Sequence, residues 1–202
     1  MMFHHKQRNI SSLIPKINID GNSIELVTKF NFLGLTLDEN LSFDAHLQKI
    51  SNRISSSLGT LNRLKRILPQ DTLLLLYNSL ILPHLQYAIL CWGKRSSRLF
   101  ILQKKAMRYI VCSKYNAHTD SVFKKLELLK LDDIYNISLL KFYYKSKQGN
   151  LPLYFRNIMT SHTPTHTYLT RGRNDPIPAI TRARSAQLSV RNYLPVFLCQ
   201  FP

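Results

Sequence analysis

Acids are scarce in this chain. Asp and Glu number 11 against 28 Lys and Arg in 202 residues, a formal net charge of +17. A folded core gains nothing from such an imbalance, and self-repulsion costs stability. A polyanionic partner, and nucleic acid first among them, is the natural explanation. Cysteine is equally sparse. Cys91, Cys112 and Cys199 are far apart and odd in number. That excludes a disulfide framework and fits a reducing compartment, nuclear or cytoplasmic rather than secreted. No apolar stretch follows Met1, so no secretory signal is visible. Glycine is rare too, and Gly34, Gly59 and Gly93 are isolated, which excludes a Gly-rich phosphate loop.

Catalytic clusters are also missing. Phosphoryl transfer by a polymerase needs two divalent metals about 4 Å apart on carboxylates held by a rigid strand or hairpin. The only Asp-Asp pair is Asp132-Asp133, between Leu131 and Ile134. There, acids meet a helix dipole rather than a metal. Zinc is no better served. His162 and His166 flank Pro164, which rules out an ordinary helix face, and no Cys-x-x-Cys is present. Cys91 and His84 both fall in an apolar segment, where a buried thiol is the default. No catalytic residue, metal site or cofactor is therefore assigned.

From Thr72 to Gly93 no side chain is charged. The length approaches that of a membrane span, about 20 residues. Asn78, Ser79, Pro83, His84 and Gln86 are expensive in lipid, and both flanks are basic. The expectation is a core helix broken near Pro83, with no membrane partner.

What is present reads as mainly α. Ile17, Ile19, Ile24 and Leu26 alternate around Asp20-Gly21, a hairpin signal. Phe30 to Leu37 reads as a further strand, buried on both faces or laid as an edge against something larger. Ser42 is the expected N-cap of a long helix. Its apolar stripe is Phe43, Leu47, Ile50, Ile54, Leu58, Leu61 and Leu64. Its polar face carries Lys49, Arg53, Arg63, Lys65 and Arg66. A third helix, about 96–112, sets Leu99, Leu102, Ala106, Tyr109 and Ile110 inward. Gln103, Lys104, Lys105 and Arg108 face outward. Trp92 and Tyr87 are expected to pack in the core rather than stack on bases. From about residue 160 the texture becomes loop-like and Arg-rich.

The organisation follows. Residues 1–40 form an antiparallel β-hairpin or meander, 41–158 a helical bundle, and 159–202 a basic, partly extended tail. Arg53, Arg63, Lys65, Arg66, Lys104, Lys105 and Arg108 are the candidate phosphate contacts.

Several blocks recur in a defined order. They are Phe32-Leu33-Gly34-Leu35-Thr36-Leu37-Asp38, Leu41-Ser42-Phe43 with His46, Leu82-Pro83-His84-Leu85-Gln86-Tyr87, Trp92-Gly93, and Leu102-Gln103-Lys104-Lys105-Ala106-Met107-Arg108. Further ones are Tyr77-Asn78-Ser79-Leu80, His118-Thr119-Asp120, Leu128-Leu129-Lys130-Leu131 and Asn192-Tyr193-Leu194-Pro195. In this order the chain resembles the region downstream of the polymerase palm in reverse transcriptases of non-LTR (LINE-type, jockey-like) retrotransposons. The resemblance implies that Phe32, Leu33 and Gly34 correspond to a primer-grip hairpin and the helices after it to a thumb and connection. It implies RNA or DNA template–primer as partner. Fingers and palm, with their metal-binding Asp residues, are expected before residue 1, so magnesium would serve only that part. The region alone is expected to bind nucleic acid without catalysis, with a separately supplied palm as a further partner. The alternative is a helical protein-interaction module, or a degenerate transposon remnant without independent activity.

Overall fold

A computed structural model describes residues 1, 3, 17–152, 190, 193, 194 and 197. Two short hairpins precede a helical body. β1 (Asn18–Ile19) pairs antiparallel with β2 (Asn22–Ser23) across Asp20-Gly21, both with positive φ, as the sequence predicts. β3 (Lys29–Phe32) pairs with β4 (Leu35–Asp38), Phe32 opposite Leu35.

This second hairpin corrects the expectation of one strand, buried or laid as an edge, over Phe30 to Leu37. The run folds back on itself at Leu33 (φ 46°) and Gly34 (φ 83°). Gly34 accepts the left-handed conformation without a Cβ clash, so a turn forms where apolar patterning alone suggests continuity. All four residues of β3 are exposed, and Leu33 is 75% exposed.

α1 (Asp44–Leu64) follows. Its start differs from the predicted cap. Ser42 and Phe43 donate their backbone N–H groups to the Asp38 carboxylate at 3.1 and 3.0 Å. Phe43 then takes a left-handed conformation (φ 60°), and Ser42 Oγ accepts only from Asp44 N–H. Asp38 thus organises the corner. Burial alone would raise its pKa, but the hydrogen bonds from Ser42 and Phe43 outweigh it and hold the carboxyl below its usual range. Along α1, Ile50, Ile54, Leu58 and Leu61 are buried and Phe43, Leu47 and Leu64 half-buried, the predicted stripe.

The uncharged segment becomes α2 (Gln70–Leu80), α3 (Leu82–Gln86) and α4 (Ile89–Trp92), with a 3₁₀ turn at Gly93–Arg95. The break near Pro83 is as expected, and a second occurs at Ala88 (φ 50°). The segment is not apolar core all round. Leu73, Tyr77, Ile81, Leu85, Ile89 and Trp92 are buried, whereas Leu75 is exposed. One face suffices to seat it against the body. Among the described residues no helix is long and apolar enough to cross a membrane.

α5 (Ser97–Ile110), α6 (Asp120–Lys125) and α7 (Leu131–Lys147) complete the body. α5 lies chiefly against α1, and α7 against α4 and the 3₁₀ turn. Gly93 is required there, because a Cβ on it would stand 2.4 Å from Cδ2 of the buried Tyr135 ring. Most of the basic segment 159–202 lies outside the described residues. Val190, Tyr193, Leu194 and Phe197 are described, and they pack against the core. The Tyr193 ring sits edge-on to Tyr135 at 5.7 Å.

Candidate nucleic-acid interface

Two long helices position most of the candidate cations. α1 and α5 run side by side in the same direction. Near their starts, Arg98 Nη1 donates to Gln48 Oε1 at 2.7 Å. Near their ends, Lys65 Nζ lies 4.8 Å from the Tyr109 ring centroid. Lys105 Nζ lies over the same ring at 5.8 Å. The predicted cations of both helices therefore meet at one end of the pair, across Tyr109. Both ammonium groups rest on a π face, which fixes long side chains that would otherwise wander.

The rest of α5 extends this surface. Lys104 Nζ stands over the Phe100 ring at 4.3 Å. Arg108 is half-buried and donates Nε–H to the Ala117 carbonyl at 3.0 Å, bracing the loop after α5. One of its roles is thus structural. Lys130 forms an ion pair with Asp120 at 2.8 Å. That pairing, with smaller contributions from Lys104 and His118, keeps the Asp120 carboxyl below its usual range. Arg66 is exposed beside Lys65, and the exposed Arg63 turns its Nε–H back to the Gly59 carbonyl at 3.4 Å.

Arg53 stands apart. It lies about 15 Å along the axis from Arg63 and two turns on from His46, on the His46 side of α1. Lys65 and Lys105 are the candidates that share one ring, with Arg63 and Arg66 next to Lys65 in the chain and Lys104 and Arg108 next to Lys105 on α5; Arg53 lies apart from that end.

Gln103 corrects the outward reading. It is fully buried. Its Nε2 donates to Tyr77 Oη (2.9 Å) and to the Leu129 carbonyl (3.0 Å), and its Oε1 accepts from Leu131 N–H (2.9 Å). Burial pushes the Tyr77 hydroxyl pKa up, although the Gln103 hydrogen bond opposes it. Gln103 holds α2, α5 and the start of α7 together and is not available to a phosphate.

Phe32, Leu33 and Gly34 form the tip of the second hairpin, which the body holds through side chains from other blocks. Tyr87 Oη donates to the Leu33 carbonyl, and its ring lies 3.6 Å from where a Gly34 Cβ would stand. Trp92 Nε1 donates to the Tyr87 carbonyl at 3.0 Å. Thr36 N–H donates to His46 Nδ1 at 3.4 Å, and the His46 ring tilts against Trp92, centroids 6.3 Å apart. Arg95 donates to the Leu41 and Ser42 carbonyls at 3.1 and 2.7 Å. Trp92 is core as expected, while Tyr87 is half exposed and clamps the hairpin. Arg95 was missed as an anchor, since partners more than fifty positions away leave no local signal.

The acidic pair offers no catalytic centre. Asp132 and Asp133 sit exposed in the first turn of α7, where they complement the helix dipole. Among the described residues no group of three or more His, Cys, Asp or Glu could hold a metal. The described residues therefore do not fit the magnesium pair that a polymerase palm carries. Cys91 keeps part of its surface exposed rather than sitting fully in the core. Desolvation raises its thiol pKa, the opposite of what a nucleophile needs.

No family model matches the chain, and no solved structure matches it. Curated relatives do. The RNA-directed DNA polymerase from mobile element jockey of Drosophila melanogaster is 26% identical over 134 residues, 62% of this chain and 14% of that protein. Its Drosophila funebris counterpart is 24% identical over 126 residues, 59% of this chain and 14% of that protein. A probable RNA-directed DNA polymerase from transposon BS of Drosophila melanogaster is 24% identical over 133 residues, 62% of this chain and 15% of that protein. The matched region thus spans about one-seventh of the length of these relatives. The blocks that meet at the second hairpin, with His46, Tyr87 and Trp92, and these relatives point the same way: the region is jockey-like, similar to a part of the RNA-directed DNA polymerases of these mobile elements.

Proposed function

We propose that this region grips the sugar–phosphate backbone of a template–primer without sequence preference and without joining nucleotides itself. The observation that carries the reading is the convergence of Lys65 and Lys105 on Tyr109, at the end of α5 that also carries Lys104 and Arg108. Neutralising phosphates there releases condensed counterions, so affinity tracks salt steeply. The hairpin tip at Phe32, Leu33 and Gly34 acts as the primer-grip element, and the helices as a thumb-like support. Relatives named as RNA-directed DNA polymerases support a template–primer as the polymer held.

A second reading has its own observation. Ile17, Ile19, Ile24, Leu26, Phe30, Phe32 and Leu33 are all exposed on the two hairpins. Such a surface suits a protein partner. Under that reading the isolated chain self-associates and ignores oligonucleotides.

Filter binding to a primed RNA or DNA template across a salt series tests the first reading. The expected result is a linear fall of log affinity with log salt, no strand-sequence preference and no primer extension. Binding that is absent or indifferent to salt overturns it. Size-exclusion chromatography with and without the oligonucleotide separates the two: an oligomer unchanged by nucleic acid supports the interaction module.

A further inference from the structure

Between α5 and α6 the chain makes a loop, residues 111–119, that the grip just described does not use. It is braced at several points. Ser113 N–H donates to the Arg108 carbonyl at 3.0 Å, and Arg108 Nε–H donates to the Ala117 carbonyl at 3.0 Å. Ala117 N–H returns to the Lys114 carbonyl at 3.1 Å, closing a turn. Cys112, at φ 49°, sets its thiol 3.4 Å from the Lys65 carbonyl and so fastens the loop to the end of α1.

On this braced turn stands Tyr115, 82% exposed, the most exposed large apolar side chain among the described residues. Its neighbours Lys114, Asn116 and His118 are exposed as well. A single exposed aromatic is ordinary on a protein surface. This one differs because its backbone is pinned to both basic helices, through Arg108 on α5 and Lys65 on α1. A ring held out from a fixed turn, with Lys114 beside it in the chain and Arg108 bonded to the same loop, has the composition of a single-strand platform. Such platforms pair a positive track for phosphates with an aromatic face for a base, and any base will serve.

We propose that Tyr115 stacks on an unpaired nucleotide of a single-stranded segment whose phosphates lie along Lys104, Lys105 and Arg108. This rests on the backbone-gripping reading and narrows its partner: the loop recognises unpaired nucleotides and contributes little to duplex. Duplex bases are already stacked and offer no free face to the ring.

The test uses the full chain and fluorescence anisotropy with two labelled probes, an oligothymidylate of about twenty nucleotides and a blunt-ended DNA hairpin. Tyr115→Ala is expected to weaken single-strand binding roughly 5- to 150-fold, the range for losing one base–aromatic stack. Tyr115→Trp is expected to keep it. Hairpin affinity and the salt slope of both probes should stay unchanged, because no charge is removed. Circular dichroism confirms that the variants fold. Equal single-strand affinity of Tyr115→Ala and wild type overturns the platform while leaving the grip intact. Equal weakening on both probes overturns it too, because the ring then serves the surface generally. Failure of the wild type to bind either probe removes the grip itself, and the platform with it.

Discussion

At the scale of single residues, Gln103 shows where sequence reading stops. An amide between Leu102 and Lys104 looks like surface, and its helical position borders the basic face. Its partners Tyr77, Leu129 and Leu131 are more than twenty positions away, so nothing local announces its burial. Once buried, it satisfies a hydroxyl, a carbonyl and an N–H with one side chain. Gln103→Leu keeps the volume and removes all three hydrogen bonds. Each orphaned buried group costs about 1–3 kcal/mol, and partial relaxation leaves an expected loss of about 3 kcal/mol. Urea unfolding at neutral pH measures it. A loss below about 1 kcal/mol would mean that water enters and replaces the amide. The charge excess, by contrast, is read directly from the sequence, although Lys65, Lys104 and Lys105 are half-buried rather than fully exposed.

At the scale of elements, patterning succeeded where it was periodic. The α1 stripe and the Asp20-Gly21 hairpin follow from spacing and turn chemistry alone. The second hairpin did not, because Leu33-Gly34 lacks the Asn or Asp that usually marks such a turn. What fixes it is tertiary: Tyr87 at its tip, and His46 taking the Thr36 N–H where β4 meets α1. That joint should be acid-sensitive. Burial, then the nearby Lys49 and Arg53 charges, lower the His46 pKa from its ordinary value. The unfolded chain therefore takes the proton more readily than the folded one. The stability contributed is complete above the ordinary imidazole range and is lost as pH falls through that range toward the folded pKa. Protonation also turns Nδ1 from acceptor to donor against the Thr36 N–H. Thermal unfolding followed from pH 8 down to about pH 5 should show a falling midpoint. His46→Leu, which cannot titrate, should flatten that dependence. An identical slope in the variant would place the acid sensitivity elsewhere.

At the scale of the whole molecule, the +17 charge admits two kinds of binding. A diffuse field would attract any polyanion with every cation contributing alike. A focused patch would concentrate the phosphates where α1 and α5 end together. The placement of the cations decides what each predicts. Lys104 and Lys105 stand on α5, their ammonium groups seated on Phe100 and Tyr109. Arg53 is just as charged but stands on the His46 side of α1, about 15 Å along the axis from Arg63. Each phosphate contact contributes about 0.7 to the salt slope on a single strand and about 0.9 on duplex DNA. For a focused patch, Lys104→Gln combined with Lys105→Gln should lower the slope by about 1.4 on a single strand and about 1.8 on duplex. Arg53→Gln should leave it unchanged. The double variant loses two cation–π contacts, so an unchanged circular dichroism spectrum is the control that ties the effect to phosphate binding. If Arg53→Gln lowers the slope by as much per charge as the pair does, the chain binds through its overall field. The convergence at Tyr109 then organises the fold rather than the nucleic acid.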